Sequence, residues 1–186
     1  SATSFDEAYS GSGLTSEEGY INVDKLDLPT VDIVQDLEAY PFPFEDNSVD
    51  EVLCRHFICH LNDLTSFLEE IHRILKPKGK LRIYAPHFSS DNFKTDPTHK
   101  TSVGHRSMNY YSDMKHWKLK YSKRSYKILI KYMTFFQYDL RKKPLNIFYW
   151  TGFELLINKL PRVYEKFFTG YLPCNEIFFL LEKVDD

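Results

Sequence analysis

Short apolar runs that each close on a carboxylate or a polar turn constrain this chain more than any other feature. Tyr20-Ile21-Asn22-Val23-Asp24 and Val31-Asp32-Ile33-Val34-Gln35-Asp36-Leu37 are two of them. Val49-Asp50-Glu51-Val52-Leu53-Cys54-Arg55-His56 and Lys80-Leu81-Arg82-Ile83-Tyr84-Ala85-Pro86 are two more. Runs of this length set between helical segments predict a mostly parallel sheet with covering helices, since only crossovers through helices join parallel neighbours. In such sheets ligands bind beyond the carboxyl ends of the strands, where Asp24, Asp36 and Arg55-His56 fall.

The clearest helix is expected over residues 61–75. Leu64, Phe67, Leu68, Ile71, Ile74 and Leu75 recur at helical spacing behind a capping Asn62 or Asp63. Lys76-Pro77-Lys78-Gly79 stops it and leads into the next strand. An abbreviated strand is expected over 8–10, then strands over 31–35, 49–54 and 126–136, helices over 148–160 and 162–168, and a final strand over 177–183. Tyr40-Pro41-Phe42-Pro43-Phe44 cannot be helical, because its prolines lack amide donors and restrict the residues before them. The polar, histidine-rich stretch 89–113 is too long for a simple connection and reads as a lid or substrate loop.

With 186 residues the chain is long enough for one domain with a substantial core. It divides into a ligand-binding half (11–86), a substrate loop and aromatic-basic insertion (87–176), and the final strand (177–183). No window reaches the ~18 apolar residues needed to cross a bilayer. Three cysteines, Cys54, Cys59 and Cys174, fit no disulfide framework, and a cytoplasmic setting is expected. Charge is lopsided: the first fifty-one residues hold Lys25 as their one base, whereas residues 115–143 oppose ten bases with Asp139 alone. That segment is either a solvated face or a docking surface for an anionic substrate, nucleic acid or membrane, its bases interleaved with Tyr121, Tyr126 and Tyr132.

Gly11-Ser12-Gly13 lets a ligand approach the backbone closely. Asp24, at a strand end, can accept both hydroxyls of a ribose. Asp36 can accept an adenine amino group while the Leu37 amide meets a ring nitrogen. Each aspartate taken singly is equally a turn former, but the three features at successive strand ends form a set.

Those residues, with Pro41-Phe42-Pro43-Phe44-Glu45-Asp46-Asn47-Ser48-Val49-Asp50-Glu51-Val52, Phe67-Leu68-Glu69-Glu70-Ile71-His72-Arg73-Ile74-Leu75-Lys76-Pro77-Lys78-Gly79-Lys80-Leu81 and Asp96-Pro97-Thr98-His99-Lys100, resemble the class I S-adenosylmethionine-dependent methyltransferases. Within them the chain is similar to the type 11 group. The resemblance implies a Rossmann-like α/β fold with helices on both faces and S-adenosylmethionine as cofactor. It implies a cofactor site of Gly11, Ser12, Gly13, Asp24, Lys25, Asp36, Leu37, Arg55 and His56. Tyr9, Phe57 or Tyr110 would stabilise the sulfonium through their ring faces. The catalytic candidates are His56, His60 and His99, needed as bases only if the acceptor must lose a proton. No metal is expected: His87, Asp91, Asp96, His99 and His105 follow no metal-ligand spacing. The expected acceptor is a small or carbohydrate-like molecule; the other readings are a non-catalytic nucleoside- or partner-binding scaffold and a nucleic-acid methyltransferase. The chain departs from the family pattern at Asp6-Glu7-Ala8-Tyr9-Ser10, in place of an apolar strand, at Lys25, at Cys59 and in the absence of a third loop glycine.

Overall fold

The computed structural model of the chain describes residues 2–6, 19–114, 118–136 and 147–184. Seven strands form one sheet in the order β3-β2-β1-β4-β5-β7-β6. They are β1 (Ala2–Asp6), β2 (Ile21–Asp24), β3 (Ile33–Val34), β4 (Val49–Arg55), β5 (Leu75–Pro86), β6 (Tyr126–Thr134) and β7 (Glu176–Lys183). Strands β1 to β5 pair in parallel, and β7 runs antiparallel to both β5 and β6. This is a Rossmann-like α/β sheet. The chain winds outward from β1 to β3 and then returns to place β4 on the other side of β1, so the order reverses there. Such a reversal opens a crevice at the carboxyl ends of the strands.

Helix α1 (Leu64–Ile74) joins β4 to β5. The Asp63 carboxylate accepts from the Thr65 and Ser66 amides and the Ser66 hydroxyl, satisfying donors that the first turn otherwise leaves open. Phe67, Leu68, Ile71 and Ile74 are buried against the sheet residues Val52, Cys54, Leu81 and Ile83. Each such side chain stabilises the fold by roughly 1.5–3 kcal/mol. Leu75 already pairs with Val49 in β5, after which the next register pair is Glu51 with Lys80. The intervening Lys76-Pro77-Lys78-Gly79 bulges out, with Lys78 at φ 63°. A Cβ on Gly79 would stand 2.8 Å from the Lys76 carbonyl, so the bulge needs a glycine.

The prolyl segment docks on α1 through one ion-paired knot. Glu70 accepts from the Phe42 amide at 2.6 Å and from Arg73, whose guanidinium also reaches the Phe42 and Phe44 carbonyls and Asp46. Burial opposes the charge on Glu70, but the Arg73 hydrogen bond and the Phe42 amide hold its carboxyl below the ordinary range.

Several boundaries differ from those expected. A first strand lies at Ala2–Asp6, ahead of the 8–10 stretch, which falls outside the described residues. Strand β3 is only Ile33–Val34. The helix expected over 148–160 is broken into α3 (Ile147–Trp150) and α4 (Phe153–Lys159), because Gly152 takes φ 76° between them. Helix α5 (Pro161–Phe167) follows, with proline at its first turn. The 89–113 stretch carries local structure of its own. It holds α2 (Asp91–Thr95) and a 3₁₀ turn (Ser107–Tyr111), and Met108 and Tyr111 enter the core. No helix among the described residues is long and apolar enough to cross a membrane.

Candidate functional site

A cleft of about 440 Å³ opens at the carboxyl ends of β2, β3 and β4. Asp24, Lys25, Asp36, Leu37, Glu38 and Phe57 line one end, and His60, Leu61, Pro97, Thr98 and Lys100 the other. The two aspartates and the leucine expected to meet an adenosine therefore share one hollow. The glycine loop, Gly11-Ser12-Gly13, and Tyr9 lie outside the described residues.

Asp24 closes β2 and is 7% exposed. One carboxylate oxygen accepts from the Leu26 amide at 2.8 Å; the other has no partner among the described residues. Asp36 repeats this two residues past β3, accepting from the Glu38 amide at 3.0 Å. Both aspartates thus form the turn that a bland reading assigns them, and each still presents an oxygen. The buried Leu37 has a backbone amide with no acceptor among the described residues. Two carboxylate oxygens and one open amide suit a ribose diol and the edge of an adenine, so the residues present fit an adenosyl group.

The other end of the cleft is built by two segments far apart in sequence. A 3₁₀ turn (Ile58–His60) follows β4. The Lys100 and Thr101 amides both donate to the Cys59 carbonyl, at 2.7 and 2.9 Å, and the Thr101 hydroxyl donates to Leu61. These bonds clamp the Asp96–Lys100 segment across the cleft mouth. The Asp96 carboxylate accepts from the Thr98 hydroxyl and amide, which hold it below the ordinary carboxylate range. His99 stacks on Phe93 and packs against His60, with ring centroids 4.4 Å apart.

The three candidate catalytic histidines are thereby separated. His60 lines the cleft, His99 stands behind it, and His56 turns elsewhere. Directly after β4, His56 adopts φ 49°, and its Nε2 sits 2.8 Å from the buried Glu176 of β7. Arg55 lays its guanidinium over the Tyr84 ring at 4.9 Å. Neither residue lines the cleft, so the cofactor role expected for them has no geometric support here. The positive φ at His56 turns its side chain toward β7.

The histidine-rich cluster of the 87–105 stretch does not converge either. His87 is fully buried and bonds Ser89 Oγ through Nδ1 at 2.8 Å, with Glu165 Oε1 3.3 Å from Nε2. Glu165 also accepts from the His105 amide at 2.6 Å. Burial, with the Lys131 charge, pushes His105 down to about 4. This network joins the loop to α5 and had no signal in the sequence, since its acid lies sixty residues away. The interleaved tyrosines do not share one environment. Tyr126 is buried with its hydroxyl on the Leu68 carbonyl, and Tyr121 stacks on Tyr110 at 4.8 Å. Tyr110 is thus committed away from the cleft, whereas Phe57 lines it.

A family model described as "Methyltransferase domain" matches residues 11–83, the segment that carries β2 to β5 and the aspartate-lined end of the cleft. The fold is that of the class I, Rossmann-like S-adenosylmethionine-dependent methyltransferases. One solved neighbour is a SAM-dependent methyltransferase from Archaeoglobus fulgidus, at TM-score 0.56 and 20% identity, over 98% of this chain and 86% of that one. Another is a phosphoethanolamine N-methyltransferase of Haemonchus contortus in complex with S-adenosyl-L-methionine, at TM-score 0.51 and 16% identity, over 99% of this chain and 49% of that one. Among curated proteins, the mitochondrial arginine-hydroxylase NDUFAF5 of Rattus norvegicus is 41% identical over 64 residues. That alignment covers 34% of this chain and 18% of the relative.

Proposed function

We propose that this chain is an S-adenosylmethionine-dependent methyltransferase acting on a small, hydroxylated or carbohydrate-like acceptor. The observation that carries the reading is the convergence on one cleft, beside the reversal of the sheet, of Asp24 and Asp36 oxygens and a Leu37 amide that have no partner among the described residues. The bound cofactor would supply an electrophilic methyl group and leave as S-adenosylhomocysteine.

In this reading Asp24 holds the ribose hydroxyls, Asp36 and Leu37 select adenine, and the 11–13 glycine loop carries the amino-acid end. Phe57, buried in the cleft wall, offers its ring to the adenosyl group. The acceptor enters between His60 and the clamped Pro97-Thr98 and Lys100. Much of the rate then comes from alignment of donor and acceptor rather than from proton transfer. The clamp on the Cys59 carbonyl supports that alignment, because it holds together the two segments between which the acceptor enters.

The relatives named for arginine hydroxylation share a stretch of this scaffold, and their chemistry adds an oxygen atom where a methyltransferase adds a methyl group. A panel of sugars, polyols, small phenols and arginine peptides, incubated with S-adenosylmethionine, separates the readings. The expected result is acceptor-dependent formation of S-adenosylhomocysteine and a product heavier by CH₂. A product heavier by oxygen, or cofactor binding with no turnover on any acceptor, contradicts it; the second outcome assigns a binding scaffold.

A further inference from the structure

We propose that Cys59, His60 and His99 form a zinc site at the acceptor end of the cleft. A ligand atom from each of the three lies within 4.8 Å of the other two. A tetrahedral zinc ion, with bonds of ~2.0–2.3 Å, needs its nitrogen and sulfur ligands about 3.3–3.6 Å apart. Binding would draw the set in from its 4.8 Å limit to that spacing.

The hydrogen bonds around the two rings specify the tautomers that such an ion requires. His99 Nδ1 lies 3.1 Å from the Phe93 carbonyl, which can only accept, so Nδ1 carries the proton and the lone pair is on Nε2. At His60 the inference takes one more step. The Thr98 hydroxyl donates to the Asp96 carboxylate at 2.6 Å, so toward His60 Nδ1, 2.9 Å away, its oxygen is the acceptor. His60 Nδ1 therefore also bears the proton, and Nε2 bears the lone pair. Two imidazoles that each give δ N–H to an oxygen and keep an ε lone pair have the arrangement by which metal-bound histidines are oriented. Cys59 is fully buried beside them, with Sγ 3.2 Å from the His56 carbonyl. Binding displaces the thiol proton and leaves a thiolate on the ion.

One sulfur and two nitrogens select a zinc-class ion over magnesium or calcium, which take oxygen ligands. Three protein ligands leave the fourth position of a tetrahedral ion to water or a substrate atom. His60 lines the cleft, so that position lies at the end where the acceptor enters. The bonds from Lys100 and Thr101 to the Cys59 carbonyl hold the two ligand-bearing segments together. The site does not rest on the methyltransferase reading, because its test reads metal and not turnover.

The experiment is Co²⁺ titration of the chelator-treated full chain, followed by absorbance, together with zinc content after dialysis. The expected result is one zinc per chain, intense tetrahedral Co²⁺ d–d bands, and a near-ultraviolet thiolate charge-transfer band that Cys59→Ser removes. His99→Ala weakens Co²⁺ by ~100-fold. Thr98→Val removes the acceptor for His60 Nδ1 together with the hydroxyl's bond to Asp96, at an exposed position where the Thr98 amide still caps that carboxylate, and it weakens Co²⁺ by ~10–100-fold, as loss of an orienting partner does. Absence of the thiolate band in the wild-type chain, or unchanged Co²⁺ affinity in both His99→Ala and Thr98→Val, overturns the proposal. In that case the two rings are a packed pair and nothing more.

Discussion

Asp24 ends β2 and Asp36 lies two residues past β3, and each accepts from the amide two residues ahead with one oxygen while the other, without a partner among the described residues, belongs to a shared cleft. Structural and ligand-binding roles are therefore divided between the two oxygens of one carboxylate. A substitution that keeps the turn can test the open oxygen.

Asp36→Asn is such a change, since the amide oxygen still accepts from Glu38. If Asp36 accepts the adenine amino group, the variant loses ~1–3 kcal/mol of affinity for S-adenosylhomocysteine, the cost of a charged hydrogen bond. It also discriminates less against the hypoxanthine analogue, which presents an oxygen at that position. Calorimetry with the two nucleosides checks both.

Glu70→Gln tests the knot that docks the prolyl segment on α1. The buried carboxylate serves the Phe42 amide and Arg73 together, and an amide cannot accept from both with equal geometry. Loss of ~2–3 kcal/mol in urea unfolding is expected, with unchanged slope.

Asp63→Ala removes the cap of α1. The expected cost is ~1 kcal/mol, read as a lower melting temperature by calorimetry. Asp63→Ser restores most of it, because a hydroxyl also accepts from the first-turn amides.

The His105 environment predicts a pH dependence. Its folded value is about 4, depressed by burial and by Lys131, against an ordinary 6.5. Between those two values the unfolded chain binds a proton that the folded chain refuses, so stability falls as pH drops from about 6.5 toward 4. His105→Gln flattens the profile in that window. Glu165, held below its ordinary value against burial by the His87 and His105 contacts, acts in the same direction at lower pH, as it takes up a proton.

Much of the sheet was legible because it rests on local pattern. Strands β4 and β7 are short apolar runs and helix α1 carries the helical period that burial requires, and the capping aspartate and the stop at Lys76–Gly79 have local chemistry. What escaped depends on contacts distant in sequence. Nothing near position 59 announces that Lys100 and Thr101 will donate to its carbonyl, and nothing near His105 announces Glu165. Position alone placed Asp24, Asp36, Leu37 and His60 at one cleft, since strand ends fix backbone location. It failed for Arg55 and His56, because the left-handed turn at His56 sends that side chain to Glu176. The grouping of Cys59, His60 and His99 had no sequence signal for a related reason: His99 arrives from a loop whose docking, not whose spacing, brings it within reach.

The most direct test of the adenosyl cleft is titration calorimetry of S-adenosylhomocysteine into the wild-type chain and Asp24→Ala. The account predicts saturable binding at one site in the wild type, weakened in the variant by ~1–3 kcal/mol, or about 5- to 150-fold. No heat at ~1 mM ligand in the wild type, or equal affinity in the two proteins, contradicts it.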